Sequence, residues 1–309
     1  MIVYHDIDSF KALKLGVTTI GIFDGVHIGH KKILKSIVDK AKEIGAESVV
    51  VTFWPHPRLV LANDTSLKLL NTIEEKIKLI ETSGVNHLII IPFTKEFSAM
   101  SADNFSKHYL AEKIGTKQLY IGYDHRFGRN KEGGFDYLKA NAHLYGFEVQ
   151  EISRQDIDNL AVSSTRIREA IEVGDVTLAN ELLGHSYSLE GKVVQGRQLG
   201  RQLGFPTANI SIVSENKILP KFGVYAVKLE FENNQYWGML NIGIKPTFGD
   251  LAPTIEVNIF DFQEDIYNKE LCVHFVQRIR DEQKFASIEH LKEQLKHDKE
   301  ACLRIFELV

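Results

Sequence analysis

Two hydrophobic periods alternate along the first half of the chain. An apolar run at 19–23 is followed by a helical pattern over 30–45. Further β-rich runs at 47–53, 87–93, 117–122 and 147–152 are separated by helical stretches at 72–83, 101–114 and 135–145. Thr72 and Glu75 form a capping box at the head of one of those helices. Strands that are apolar throughout and separated by helices predict a parallel sheet covered on both faces, with ligands bound beyond the carboxyl ends of its strands. Two more helical segments, 163–173 and 177–183, end at Gly184, a natural helix stop, and the expected domain boundary lies there, giving domains 1–184 and 185–309.

Beyond Gly184 the period changes. Short strands at 187–195, 223–231, 235–242, 254–260 and 271–279, without intervening helices, predict a small antiparallel barrel, with Asn233-Asn234 as a hairpin turn. Helical patterns at 287–296 and 299–308 close the chain and would cover the outside of the barrel or one open edge. The fold class is thus α/β followed by all-β, and 309 residues agree with two domains.

Composition narrows the partners. A formal net charge of -4 excludes a general basic field for nucleic acid, so anionic ligands need local donors. The two cysteines, Cys272 and Cys302, have no metal-ligand or redox spacing and fit a reducing, cytoplasmic compartment. No apolar run is long enough to span a membrane. A monomer or weak homo-oligomer is expected.

The first chemistry-bearing motif is Gly21-Ile22-Phe23-Asp24-Gly25-Val26-His27-Ile28-Gly29-His30, where the first strand passes into the first long helix. A helix N-terminus offers free N–H groups and a positive dipole end, and glycines let phosphate oxygens approach the backbone. His27 and His30, three residues apart, can face one ligand. The same residues would also serve a tight turn with histidines at a helix cap, while a two-histidine metal site has no obvious third ligand. Walker-type and Gly-x-Gly-x-x-Gly phosphate loops are absent. A His-x-Gly-His signature opening the first helix of a parallel sheet resembles the nucleotidyltransferase superfamily, and the resemblance implies a Rossmann-like sheet and phosphate-stabilising histidines.

Ser163-Ser164-Thr165-Arg166-Ile167-Arg168, at the start of a later helix, is similar to the second signature of that superfamily. Its hydroxyls can cap a helix or donate to phosphate, and Arg168 presents a planar cation one turn inside. Between the two signatures, Thr52-Phe53-Trp54-Pro55-His56-Pro57 and Gly122-Tyr123-Asp124-His125-Arg126-Phe127-Gly128 resemble segments of bacterial FAD synthetases. His125 departs from that pattern, which usually has an aromatic residue there.

In the second half, Gly196, Gly200 and Gly204 punctuate a loop that ends in Pro206-Thr207-Ala208-Asn209. Such glycines suit either a loop over nucleotide phosphates or a plain barrel corner. A threonine hydroxyl and an asparagine carbonyl two residues apart on an extended segment point the same way and suit a hard cation such as Mg²⁺. With Phe222-Gly223-Val224-Tyr225-Ala226-Val227, Asn241-Ile242-Gly243-Ile244-Lys245-Pro246-Thr247-Phe248, Ile255-Glu256-Val257 and Arg280-Asp281-Glu282-Gln283-Lys284-Phe285, the region resembles the riboflavin kinase module.

Nearly the whole chain is therefore similar to the prokaryotic bifunctional riboflavin kinase and FAD synthetase family. The resemblance implies a six-stranded flavin-binding barrel, two ATP-dependent reactions that make FMN and then FAD, and Glu256 as catalytic base. It implies His27, His30 and Arg168 as catalytic groups of adenylyl transfer, with Phe23, Asp24, Gly25, Gly29, Ser163, Ser164 and Thr165 around one ATP and Gly196, Gly200 and Gly204 around the other. Pro57, Asp124, Phe127, Tyr225, Arg280 and Glu282 are the implied flavin contacts, and Thr207 and Asn209 the Mg²⁺ ligands. Asn258 stands where the family commonly has a histidine. His125 and Asn258 leave open a chain that runs one reaction alone, and a flavin-binding regulator without turnover is the other alternative.

Overall fold

A computed structural model describes residues 1–61, 66–123, 125–152, 162–196, 200, 203–212, 214–244 and 253–307. Its first six strands are β1 (Ile2–Tyr4), β2 (Gly16–Ile20), β3 (Glu47–Trp54), β4 (His87–Pro92), β5 (Thr116–Gly122) and β6 (Glu148–Ile152). They form one sheet in the order β1-β4-β3-β2-β5-β6, with every neighbouring pair parallel. Side chains alternate between two apolar layers. Val49, Val51 and Phe53 of β3 join Leu110, Leu119 and Leu138 on one face, while Val50 joins Val17, Leu34 and Ile37 on the other. The helix Ile28–Ile44 supplies that second layer from a stripe of Ile33, Leu34, Ile37, Val38 and Ala41. Strand order reverses between β2 and β5, and the crevice beyond their carboxyl ends is the switch point at which such sheets bind ligands.

Two strand boundaries differ from the expected ones. The run at 19–23 ends as a strand at Ile20 because the Ile22 carbonyl is taken by side chains, Lys76 Nζ (2.7 Å) and Thr52 Oγ1 (3.2 Å), and Phe23 turns to φ 51°. β1 has three residues beside Asp6 and Asp8, too short to show a period, and pairs with β4 at the sheet edge. The capping box is present: Thr72 Oγ1 accepts from Glu75 N–H, and Glu75 Oε2 accepts from Thr72 N–H, at the head of the helix Ile73–Glu81. The expected helix at 101–114 is a short turn, Ala102–Asn104, continued by a π-helical segment, Phe105–Ile114.

The second half forms a closed barrel of six antiparallel strands, β7 (Ser188–Val194), β8 (Ala208–Ile212), β9 (Gly223–Phe231), β10 (Asn234–Ile244), β11 (Pro253–Ile259) and β12 (Glu270–Arg280). Their order around the barrel is β10-β11-β8-β7-β12-β9. Closure removes free strand edges. Tyr225, Leu240 and Val257, each 0% exposed, stand in register on neighbouring strands and share one buried face. β8 is the strand that periodicity does not reveal, because Asn209 and Ser211 alternate with Ala208 and Ile210 in a five-residue run directly after a glycine-rich loop. The β9–β10 hairpin turns on Glu232 (φ 46°) and Asn233 (φ 67°), one residue earlier than expected, and Asn234 already pairs with Phe231. One helix, Ile288–Phe306, replaces the two expected at 287–296 and 299–308.

Contacts divide the chain into two compact units, Met1–Ser164 and Thr165–Val309. The helices Ser164–Val173 and Val176–Leu183, expected with the first domain up to Gly184, thus fall almost wholly with the barrel. Asn180 explains the attachment. Its Nδ2 donates to the Phe275 carbonyl (2.8 Å) and its Oδ1 accepts from Tyr187 N–H (2.6 Å), while Lys221 N–H reaches the Ile171 carbonyl (3.2 Å). No helix among the described residues is long and apolar enough to cross a membrane. Asn180→Ala leaves two backbone groups without these partners and should lower the stability of the barrel unit by about 1–3 kcal/mol, read as a shift of its urea midpoint.

Candidate active sites

In the first unit the segment leaving β2 is held in a left-handed turn, with φ 51° at Phe23, 86° at Gly25 and 39° at Val26. Three sets of bonds fix it. Ile22 is held by Lys76 and Thr52, as above; Asp24 Oδ1 accepts from Leu70 N–H (3.0 Å) and Asn71 N–H (3.4 Å); and Ser164 Oγ donates to the Asp24 carbonyl (2.9 Å). That last bond joins the two sequence signatures, 140 residues apart. The expected roles of Phe23 and Asp24 change accordingly. The Phe23 ring is in the core, edge-on to His30 at 5.2 Å, and the Asp24 side chain, 4% exposed, faces backbone amides, so both shape the turn from beneath.

His27 caps the first helix, its Nδ1 accepting from His30 N–H (3.3 Å), and the two imidazoles stack at 3.6 Å with 15° between planes. A Cβ at Gly29 would lie 3.2 Å from His27 Nδ1 and from Val162 Cγ1, so any side chain there would press on the stack. Burial holds His27 down at about 4 against the opposing pull of Asp24. Burial also pushes His30 well below its usual value, helped by His27 and Lys76. Both rings are neutral at pH 7. Because His27 Nδ1 accepts, its proton sits on Nε2, while His30 Nδ1 is enclosed without a hydrogen-bond partner among the described residues. Neutral donors at a helix N-terminus suit a phosphate that brings its own charge.

Lys76 is the group that sequence reasoning missed. It is 1% exposed, lies 5.5 Å over the Trp54 ring, and is lowered to about 8 by burial with Asp24 opposing, so it remains cationic at neutral pH. Its signal was a lysine on the buried stripe of Ile73, Ile77 and Ile80. Pro57 opens the short helix Pro57–Leu61 after β3, and Phe127 packs on Phe105 (5.4 Å) after β5, which places both at the carboxyl edge of the sheet. His125 stacks on Phe127 at 5.8 Å, is held at about 4 by burial, and has Nε2 enclosed without a partner among the described residues. Asp124 lies outside the described residues. Ser163 is exposed, Thr165 is exposed in the helix that begins at Ser164, and Arg168 is half-buried one turn on; the contact boundary puts Thr165 and Arg168 with the second unit.

In the second unit, strand register builds the site. Asn209 on β8 pairs with Glu256 on β11, Glu256 with Asn241 on β10, Asn241 with Val224 on β9, and Val224 with Arg280 on β12. Residues paired directly across strands point to the same face, so this row lies on the face opposite Tyr225, Leu240 and Val257. Glu256, Asn241, Val224 and Arg280 line a cavity of about 310 Å³, together with Gly200, Thr207, Asn258 and Glu282. A bulge between Arg278 and Arg280 brings the latter into the row. Asn258 Nδ2 donates to the Pro206 carbonyl (2.6 Å), tying the segment before Thr207 to β11. A second cavity, about 530 Å³, lies against Val193, Val257, Ile259 and the segment 262–267, and Thr207 borders it too.

Most of the expected kinase residues are thus brought together. Gly196 and Gly200 leave no room for a Cβ, which would collide with the Asn209 amide and the Phe205 carbonyl respectively, whereas Gly204 (φ 84°) is open. Gly243 likewise makes room for the Glu282 carboxylate. Tyr225 is not brought to the cavity: it is 0% exposed, its hydroxyl donates to the Lys221 carbonyl, and its ring meets Phe275 edge-on at 5.2 Å. The motif portion 245–248 lies outside the described residues. Sequence reasoning also missed Asn241 as a wall residue and Asp298, which lines the same cavity from the last helix.

A switch point in a parallel sheet with a helix N-terminus beside it, followed by a barrel that carries a carboxylate beside oxygen donors, fits the class of two-domain transferases. Family models for FAD synthetase match residues 10–166 and for riboflavin kinase residues 183–306. The bifunctional riboflavin kinase/FMN adenylyltransferase of Buchnera aphidicola is 38% identical over 94% of each chain. The Bacillus subtilis protein of the same name is 37% identical over 94% of this chain and 92% of its own. A crystal structure of a macrolide-efflux protein from Streptococcus pneumoniae superposes with TM-score 0.85 at 31% identity, covering 97% of this chain and 98% of that one. The chain belongs to the bifunctional riboflavin kinase/FMN adenylyltransferase family.

Burial of His27 and His30 sets the sign of an acid effect. Unfolded His27 takes up a proton near 6.5 and the folded form near 4, so the unfolded chain binds more protons in between, and stability present above pH 6.5 falls as pH drops toward 4. The loss is on the order of 3 kcal/mol for His27. Thermal denaturation between pH 7.5 and 4 should show a smaller decline in His27→Gln than in the native chain.

Proposed function

We infer that the barrel unit phosphorylates riboflavin to FMN with ATP and that the parallel-sheet unit adenylylates FMN with a second ATP, releasing FAD and pyrophosphate. The observation that carries the first half is the placement of Thr207, which borders both barrel cavities while Glu256 faces one of them. ATP fits the larger cavity and riboflavin the smaller, with the phosphates meeting the acceptor at Thr207. The riboflavin 5′-hydroxyl oxygen attacks the γ-phosphorus, the bond to the β,γ-bridging oxygen breaks, ADP leaves, and the hydroxyl proton passes to the Glu256 carboxylate. An alcohol of high pKa needs such a base, worth about 10²–10⁴ in rate.

Thr207 Oγ1 and the Asn209 carboxamide oxygen would hold Mg²⁺, and an oxygen donor set beside a carboxylate fits that hard cation. When bound, the ion would withdraw charge from the phosphate oxygens. The glycines at 196 and 200 leave the Asn209 amide and Thr207 uncrowded for that purpose.

Adenylyl transfer needs no base, because the FMN phosphate is already anionic at neutral pH. One of its oxygens attacks the α-phosphorus, the α,β-bridging bond breaks, and pyrophosphate departs. Neutral His27 and His30 donate to phosphate oxygens, the first-helix amides complete the cradle while Ser164 holds the turn through the Asp24 carbonyl, and Arg168 supplies the cation. Pro57 and Phe127, at the same sheet edge, are assigned to the flavin. Two free cysteines fit a reducing cytoplasm.

The sites are separable. Glu256→Gln should lower kcat for FMN formation by about 10²-fold or more while supplied FMN is still adenylylated, and His30→Ala should stop FAD formation while FMN accumulates. Chromatography of the flavins after incubation with riboflavin, ATP and Mg²⁺ reads both. Loss of both reactions in a variant that still unfolds cooperatively would sink the two-site assignment.

A further inference from the structure

The last helix carries a charge on its buried stripe. Leu291, Leu295, Cys302 and Phe306 recur at helical spacing, and Asp298, 1% exposed, occupies the position between Leu295 and Cys302. Its surroundings on the barrel are apolar, with Ala226, Met239 and Phe260 clustered around Cys302. Both carboxylate oxygens are engaged: Oδ1 accepts from Arg280 Nε (2.8 Å) and Gln294 Nε2 (2.9 Å), and Oδ2 from Arg280 Nη2 (2.7 Å). A buried ion pair stabilises a fold little more than apolar residues of the same volume would. What the two-point fork does provide is a guanidinium held in one plane.

That plane is a wall of the Glu256 cavity. Arg280 and Asp298 both line it, and the register row places Arg280 three strands from Glu256, roughly 14 Å along the sheet at about 4.8 Å per strand. Arg280 Nη1 also donates to the Asp281 carbonyl (3.0 Å), and its guanidinium lies 5.8 Å over Phe285, so the segment that brings Glu282, Gln283 and Phe285 to the cavity is seated on the same group. Asp281 has a second anchor, its carboxylate accepting from Arg278 Nη2 (2.6 Å) beside Lys221 Nζ (3.3 Å), which keeps the segment folded if the Asp298 contact is weakened.

We propose that Asp298 is a positioning residue for riboflavin in the kinase reaction: by fixing Arg280 it sets the wall, far from the transferred phosphate, against which the flavin ring system rests. The proposal rests on the assignment of the Glu256 cavity to that reaction. Its effect is on acceptor binding, with little on the chemical step.

The test is steady-state FMN formation by the full chain with riboflavin varied. Asp298→Asn, of equal size, should raise KM for riboflavin by about tenfold with kcat within about threefold, and adenylylation of supplied FMN should be unchanged. Arg280→Lys keeps the charge and loses the fork, and should raise KM similarly; Gln294→Ala leaves the fork intact and should stay near the native KM. An unchanged KM in Asp298→Asn, or a fall in kcat at constant KM, overturns the proposal. Should Asp298→Asn not fold, Arg280→Lys decides alone, a native KM there overturning it. Glu256→Gln, assayed in parallel, separates the two levels: undiminished FMN formation in that variant sinks the cavity assignment itself, whereas its loss beside a native KM in Asp298→Asn sinks the positioning role alone.

Discussion

Hydrogen-bond register across the barrel is the constraint on which the Glu256 cavity depends. Asn209, Glu256, Asn241, Val224 and Arg280 are separated by up to 71 positions in sequence, and nothing but ladder pairing puts them at one level on one face. A slip of one residue in β9, β10 or β11 would turn its member of the row inward, in exchange for Tyr225, Leu240 or Val257. The apolar inner face therefore guards the polar outer one: the cost of exposing three large buried side chains keeps Glu256 beside Asn209. Closure of the barrel strengthens the guard, since each strand is held on both sides.

The parallel-sheet unit solves a different problem. Its turn after β2 has positive φ at Phe23, Gly25 and Val26, and a loop in that conformation cannot be held by ladder bonds. Side chains from elsewhere take over, with Lys76 and Thr52 on the Ile22 carbonyl, Asp24 on two amides, and Ser164 on the Asp24 carbonyl. The two stacked histidines at the head of the helix are left uncharged, and the nearby Lys76 cation points to the Ile22 carbonyl.

The architecture could be read from hydrophobic period because both layers obey it: strands of the sheet are apolar on two faces, those of the barrel on one. Where the period failed, a polar residue was standing in an apolar position for a structural reason. Asp298 interrupts the apolar stripe of the last helix near the expected break, but the helix is continuous and the carboxylate is paired there with Arg280 from a distant strand. Asn209 and Ser211 hide β8 in the same way. Among site residues, those in contiguous motifs, such as His27, His30, Thr207 and Glu256, could be found by their neighbours. Lys76 and Asp298 have no such context, and their place in the sites arises from what folding puts beside them; Asn241 lay in a legible motif, but its place in the cavity wall comes from strand register. Tyr225 shows the converse: its motif was legible, but strand alternation sends its side chain inward.

Thr207 belongs to two walls at once, standing between a cavity that holds Glu256 and a larger one against residues 262–267. On the proposed assignment, donor and acceptor would occupy different cavities that meet at Thr207. Two cavities that share only Thr207 would impose no fixed order of entry, and the spent nucleotide would then be exchangeable without displacing the acceptor.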